Sequence, residues 1–166
     1  PQDDGSQAVR RAVGRPWTGP VRRLLAGGSE AIGMAMAKGA EARDGRDVSA
    51  SHCGGLTMAV AGHFPVGCDL EVVVTRPLVT WSDMLGAERF KLAEIISREA
   101  QETLDAAATR VWTAIECLKK SGAGMAAPLV FAAMAPNGWV LLASGELKIA
   151  SGVVKRDGEK EELAIA

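Results

Sequence analysis

The sequence predicts an α+β fold in which antiparallel sheets pack with helices. After a first helical segment, three short β segments are followed by two helical segments and a β meander, an order typical of α+β proteins. The 166 residues suffice for one domain, or for two small halves that share a core. Hydrophobic residues make up 48% of the chain and charged residues 23%, which is ordinary for a globular protein.

The first segments are the least regular. Residues 1–20 are polar and broken by Gly and Pro, so we expect a linker or loose arm there. Apolar spacing predicts a helix from Val21 to Lys38, interrupted at Gly27-Gly28, and a charged turn follows at residues 39–47. We expect one domain over residues 21–166, with an abridged first half at 21–75 and a second half at 76–166.

Three β segments follow the charged turn. The sequence predicts strands at Val48–Cys53, Leu56–Gly62 and Val66–Val74, the last rich in β-branched residues. Gly54-Gly55 turns the chain between the first two, and Pro77 ends the third.

The middle of the chain is helical by its apolar period. We predict helices at Gly86–Ala100 and Asp105–Ser121, with Asp105 as the N-cap of the second.

The tail is predicted to be β structure again. Strands at Leu129–Met134 and Trp139–Ala143 flank Asn137-Gly138, a strong hairpin signal. Further strands are expected at Glu146–Lys155 and, as a last edge strand, at Glu162–Ile165.

Charge and composition argue against several classes of partner. A formal net charge of −1 gives no reason to expect nucleic acid or an anionic membrane. There is no apolar run of about 18 residues, so we expect no transmembrane helix. No signal-peptide pattern is present, and three cysteines without a pairing pattern suggest reduced thiols and a cytoplasmic protein. Since the first residue is Pro1, we expect a processed chain or a domain excised from a longer polypeptide.

Two acids lie within the third predicted strand. Strand side chains alternate, so Asp69 and Glu71 share one face. A solvated face is the common explanation for such a pair. The strand is otherwise apolar, however, and half-buried carboxylates are costly without a cation. Two hard oxygen ligands suit Mg²⁺, which binds a few carboxylates together with substrate phosphates.

A third acid and a lysine lie on the second predicted helix. Trp112, Glu116 and Lys120 are spaced by four and form one stripe. The neighbouring stripe is apolar and should face the core; it consists of Val111, Ile115 and Leu118. By itself the pair of Glu116 and Lys120 is as well explained by a surface ion pair.

Three segments in this order resemble the signatures of Sfp-type 4′-phosphopantetheinyl transferases. They are residues 48–55 (VSASHCGG), 66–71 (VGCDLE) and 111–122 (VWTAIECLKKSG). The family pattern is a Ser-His segment, then Gly-hydrophobic-Asp-hydrophobic-Glu, then Trp-x-x-Lys-Glu-x-x-x-Lys. The spacing of 47 residues from Asp69 to Glu116 also fits. The match is closest to the transferase domains at the C-termini of enediyne-type iterative polyketide synthases.

The resemblance implies an enzyme that moves the phosphopantetheine arm of coenzyme A to a serine of an acyl carrier protein, releasing 3′,5′-ADP. It implies Mg²⁺ on Asp69, Glu71 and Glu116, and a contact from Lys120 to the coenzyme A phosphates. Ser51 and His52 match the family pair that contacts coenzyme A phosphate. The resemblance implies a contact to the 3′-phosphate from Arg46, with Arg43 as the second candidate for this contact. The base that takes the serine proton is either Glu116 or a metal-bound water, and the sequence leaves both open.

Two departures from the family keep a second function open. Ile115 stands where the family has a lysine before the helix glutamate, and the first half is short. A degenerate transferase fold that only docks a carrier protein would show the same departures.

Two other chemistries fit the sequence poorly. A zinc site built from His52, Cys53, His63 and Cys68 matches no zinc spacing. Cys53 and Cys117 as nucleophiles are disfavoured because both lie in apolar segments, where thiols usually fill cores.

Overall fold

The chain is an α+β protein in which antiparallel sheets pack against three helices. The computed structural model describes residues 23–25, 47–53, 56–62, 65–155 and 161–166. The α+β class with antiparallel sheets packed against helices, expected from the sequence, is confirmed. The predicted arm at residues 1–20 and the charged turn up to residue 46 lie outside the described residues.

A three-stranded antiparallel sheet forms first. Its strands are β1 (Arg23–Leu25), β2 (Asp47–Cys53) and β3 (Leu56–Gly62), in the order β1-β3-β2. The strands predicted for β2 and β3 are confirmed. The helix predicted from Val21 is wrong over Arg23–Leu25, because this segment pairs with the free edge of β3, Leu24 lying opposite Met58. Pairing with a distant strand has here overridden the local helical period.

Three helices follow: α1 (Leu78–Leu85), α2 (Ala87–Ala100) and α3 (Leu104–Lys120). The last two confirm the sequence prediction, whereas α1 was not predicted. The predicted N-cap of α3 is wrong: Thr103 takes this role, its side chain accepting from the Ala106 N–H at 3.2 Å. The Asp105 carboxylate instead accepts from the Trp81 indole N–H at 2.7 Å and so joins α3 to α1. None of the described helices is both long and apolar enough to cross a bilayer.

A five-stranded antiparallel sheet contains the remaining strands, in the order β4-β8-β7-β6-β5. They are β4 (Leu70–Val72), β5 (Val130–Ala135), β6 (Trp139–Ser144), β7 (Leu147–Lys155) and β8 (Glu162–Ile165).

The hairpin predicted at Asn137-Gly138 is confirmed, and both of its residues have positive φ. The third predicted strand is shorter than expected, because only Leu70–Val72 joins a ladder. The prediction that Glu162–Ile165 is an edge strand is wrong, because β8 lies between β4 and β7.

Two apolar clusters hold these layers together. The larger one joins the three helices to β6 and β7, around Ile96, Val111 and Leu142. The smaller one fills the space between the two sheets and includes Met58, Cys68, Leu70, Trp139 and Ile165. The strand β4 contacts both β2 of the first sheet and α3, and the candidate site forms at this junction.

A buried arginine anchors α3 to the tail. Arg110 is 2% exposed and makes two parallel bonds to Glu102, from Nε at 2.8 Å and from Nη2 at 2.9 Å. It also donates to the backbone carbonyls of Ser151 and Gly138. These bonds fix the helix that carries Glu116 and Lys120 against β7 and the β5–β6 turn.

Candidate functional site

The carboxylate of Asp69 lies where β2, β4 and α3 meet. Asp69 is 4% exposed, and its Oδ1 accepts from Lys120 Nζ at 2.7 Å and from Ser51 Oγ at 2.9 Å. Its backbone N–H and carbonyl both pair with Ala166, at 2.9 and 3.0 Å. Asp69 is thereby held by groups that are far apart in the sequence.

Gly67 explains how β4 approaches the helix so closely. A Cβ atom at this position would lie 2.0 Å from the carbonyl oxygen of Cys117, so any larger residue would push the two backbones apart. The next residue is fixed from the other side, because the Cys68 N–H donates to Ser49 Oγ at 3.1 Å. The glycine of the second signature segment is therefore a packing requirement that brings Asp69 to Lys120.

The Lys120 side chain is hydrogen-bonded within this junction. Its ammonium donates to Asp69 Oδ1, to the Cys68 carbonyl at 3.0 Å and to the Ala50 carbonyl at 3.4 Å. The surface pair of Glu116 with Lys120, which the sequence left open, does not form. Glu116 pairs instead with Lys119, whose Nζ lies 3.2 Å from Oε2.

Glu71 lies in the electrostatic field of both Asp69 and Glu116. Burial is the largest cause that raises the pKa of Glu71, and the charge of Asp69 is the next. Glu116 raises this pKa further, while Lys120 and Arg76 lower it. The other two acids predicted from the sequence therefore both act on Glu71, and ionising Glu71 is costly in the absence of a further cation.

The donor types fit a divalent cation, although the side chains are not arranged as a finished metal centre. In the described part of the chain, no group of three or more His, Cys, Asp or Glu residues could hold a metal ion as it stands. Asp69 Oδ2, however, is buried without a hydrogen-bond partner among those same residues. Carboxylate oxygens are the ligands that Mg²⁺ prefers. The Mg²⁺ site of Asp69, Glu71 and Glu116 stays a prediction.

The first signature segment, residues 48–55, places Ser51 and His52 on opposite faces of β2. Ser51 is buried and points to Asp69, whereas His52 is exposed, as the alternation of β2 requires. The structure thus brings Ser51 together with Asp69 and Lys120 but leaves His52 on the opposite face of the strand. Arg43 and Arg46 lie outside the described residues, so their predicted contacts stay predictions.

No protein-family model matches the chain, and no match was found among curated proteins. The three sequence segments and the hydrogen bonds that join them are therefore the features that indicate a function.

The cysteine and zinc alternatives gain no support. Cys117 is buried, and this burial raises the pKa of its thiol well above the ordinary value, which disfavours the thiolate needed for nucleophilic attack. Cys68 is also buried, with its sulfur 3.3 Å from the Ser49 carbonyl oxygen. Cys53 is half-buried, and His63 lies outside the described residues.

Ile115 packs as the helical count predicted. It is 1% exposed and belongs to the larger apolar cluster. A lysine at this position would start from the core, where an unpaired charge is costly.

Sequence reasoning missed two cations near the acids. Lys119 pairs with Glu116, and the i,i+3 spacing of these residues is a signal that could have found this contact. Arg76 lowers the pKa of Glu71 from the segment after β4, and it lies over the Trp81 ring at 5.4 Å from the centroid. No local sequence pattern indicates that second position.

We expect Glu71→Gln to raise the melting temperature of the metal-free protein near neutral pH. The folded state raises the pKa of Glu71 above its ordinary value of 4.5, so the ionised side chain costs stability above that raised pKa. The cost disappears below pH 4.5, where the group is protonated in both folded and unfolded states. Thermal unfolding in chelator should show the gain shrinking as the pH falls. Glu94→Gln, on the exposed face of α2, is the control. A gain in melting temperature that is equal at every pH would contradict a raised pKa of Glu71 in the folded state.

Proposed function

We propose that the chain is a Mg²⁺-dependent 4′-phosphopantetheinyl transferase acting on coenzyme A and a serine of an acyl carrier protein. One observation carries the proposal. Each of the three signature segments supplies one member of a single hydrogen-bonded cluster: Ser51 from the first, Asp69 from the second and Lys120 from the third. Segments matched only by pattern have no general reason to meet at one buried carboxylate.

The chemistry follows from the residues at this junction. Asp69 Oδ2, Glu71 and Glu116 would hold Mg²⁺, which when bound neutralises charge on the pyrophosphate and favours phosphoryl transfer. Glu116 is 16% exposed at its side chain and can take the proton of the incoming carrier serine. His52 is exposed on β2, and it is proposed to contact a coenzyme A phosphate together with Arg46 and Arg43.

The proposed fold family and biosynthetic role rest on the same resemblance. The α+β architecture, with α3 packed on an antiparallel sheet, is compatible with a transferase fold whose first half is abridged. We propose a cytoplasmic enzyme of polyketide antibiotic biosynthesis, related to the domains of enediyne-type synthases.

A catalytically inactive docking module is the second candidate. Two observations favour it: Ile115 is buried where the pattern of the resembled family has a lysine, and the Lys120 ammonium is bonded to three protein oxygens. Such a protein would bind a carrier protein without modifying it.

Mass spectrometry of the carrier protein separates these functions. We expect incubation with the chain, coenzyme A and Mg²⁺ to add the phosphopantetheine mass to one carrier serine. A carrier with that serine changed to alanine, and a reaction in chelator, should both stay unmodified. Carrier binding without transfer in calorimetry would favour the docking module. Absence of both transfer and Mg²⁺-dependent coenzyme A binding would overturn the proposed enzyme.

A further inference from the structure

The two oxygens of the Asp69 carboxylate have unequal surroundings. Oδ1 accepts two hydrogen bonds, from Ser51 at 2.9 Å and from Lys120 at 2.7 Å. Oδ2 is buried and has no hydrogen-bond partner within the described ranges. A buried carboxylate oxygen without a partner is costly, so its presence in a folded site points to a ligand that the fold is built to receive.

The donors that hold Oδ1 have little left for another ligand. An ammonium group has three N–H donors, and those of Lys120 meet Asp69 Oδ1 and the carbonyls of Cys68 and Ala50. Ser51 has one hydroxyl proton, and it is donated to Asp69. The family resemblance directs both residues to coenzyme A phosphates, whereas here both converge on one carboxylate oxygen.

We infer that Ser51 and Lys120 are positioning residues that fix the Asp69 carboxylate and present Oδ2 alone to a divalent cation. The inference rests on the proposed function, because it concerns the metal of that site. Outer-shell hydrogen bonds orient ligating carboxylates, and their loss typically lowers metal affinity about 10- to 100-fold. Neither side chain then needs to touch the nucleotide.

Electrostatics alone predicts that removing Lys120 has the opposite effect on metal affinity. A positive charge within hydrogen-bonding distance of a metal ligand repels a divalent cation, so its removal should tighten metal binding. If Lys120 instead positions the Asp69 carboxylate, its removal should weaken metal binding. Ser51 avoids this conflict because the serine hydroxyl is neutral.

The test measures Mn²⁺ binding by electron paramagnetic resonance without coenzyme A. We expect Ser51→Ala and Lys120→Met to bind Mn²⁺ about 10- to 100-fold more weakly than the wild type. Ser51→Thr keeps a hydroxyl donor and should restore most of the affinity. Lys91→Met is the control: it removes a lysine charge from an exposed position of α2, where the ammonium pairs with Glu88, and should bind Mn²⁺ with wild-type affinity. Thermal unfolding confirms that each variant is folded.

The outcomes separate the inference from the proposed function. If the wild type binds Mn²⁺ and both Ser51→Ala and Lys120→Met bind it equally well or more tightly, the positioning role is wrong. A loss confined to coenzyme A affinity in these variants would assign them to the phosphates instead. If the wild type itself binds no Mn²⁺, the metal-dependent function fails and the inference fails with it.

Discussion

Asp69→Asn should lower phosphopantetheine transfer by roughly 10³-fold or more. Phosphoryl transfer depends on positioning and on neutralising charge at the transferred group, and groups that supply this neutralisation are worth about 10³- to 10⁵-fold. The amide keeps the shape of the side chain but loses the negative charge that would hold a cation. It also loses the ion pair with Lys120, whose Nζ lies 2.7 Å from Oδ1.

The measurement is the initial rate of carrier modification at saturating coenzyme A and Mg²⁺. Because the lost ion pair can also reduce stability, thermal unfolding is measured in parallel and rates are compared at a temperature where both proteins are folded. Asp83→Asn makes the same chemical change at an exposed position of α1 and should retain the wild-type rate. A rate for Asp69→Asn within a few-fold of the wild type would contradict the assignment of the site.

Local patterns were sufficient where an element is determined by its own residues. The helices α2 and α3 have a clear apolar period, and the β5–β6 hairpin has a turn that demands positive φ at Asn137 and Gly138. These elements were predicted nearly to their ends. Periodicity and turn chemistry are properties of short segments, so the sequence displays them directly.

Elements that depend on distant partners could not be predicted in this way. Arg23–Leu25 is a strand only because β3 offers it an edge. The strand β8 is internal because β4 pairs with it, Leu70 lying opposite Ile165. The capping prediction failed for a related reason, since Asp105 is used by Trp81 of another helix.

In the candidate site, too, residue types were predictable from the sequence, whereas contacts with distant backbone were not. The types of residue in three segments indicated which acids matter, and the structure brings Asp69 close to Ser51 and Lys120. The commitment of Lys120 to the backbone carbonyls of Cys68 and Ala50 was not predictable, because carbonyls leave no trace in side-chain patterns. The closeness of Gly67 to Cys117 is likewise visible only once the backbones are placed.

Glu102→Ala should destabilise the fold by about 3–5 kcal/mol, because removing one partner of a buried ion pair leaves the other charge uncompensated. Arg110 has 3% of its side chain exposed and Glu102 has 16%, so water compensates poorly for the missing carboxylate. For a chain of this size the melting temperature should fall by roughly 6–20 °C. Thermal and denaturant unfolding measure the effect.

The control for this prediction is Glu99→Ala, three residues earlier. Glu99 pairs with Arg98 at 3.6 Å, with side-chain exposures of 72% for Arg98 and 46% for Glu99, and such surface pairs contribute at most about 1 kcal/mol. Replacing both partners, by Glu102→Ala with Arg110→Met, should recover part of the loss because the buried Arg110 charge is then removed as well. Recovery should be incomplete, since the carbonyls of Ser151 and Gly138 lose their donor. Equal unfolding midpoints for Glu102→Ala and Glu99→Ala would show that Arg110 does not need its carboxylate to hold α3 in place.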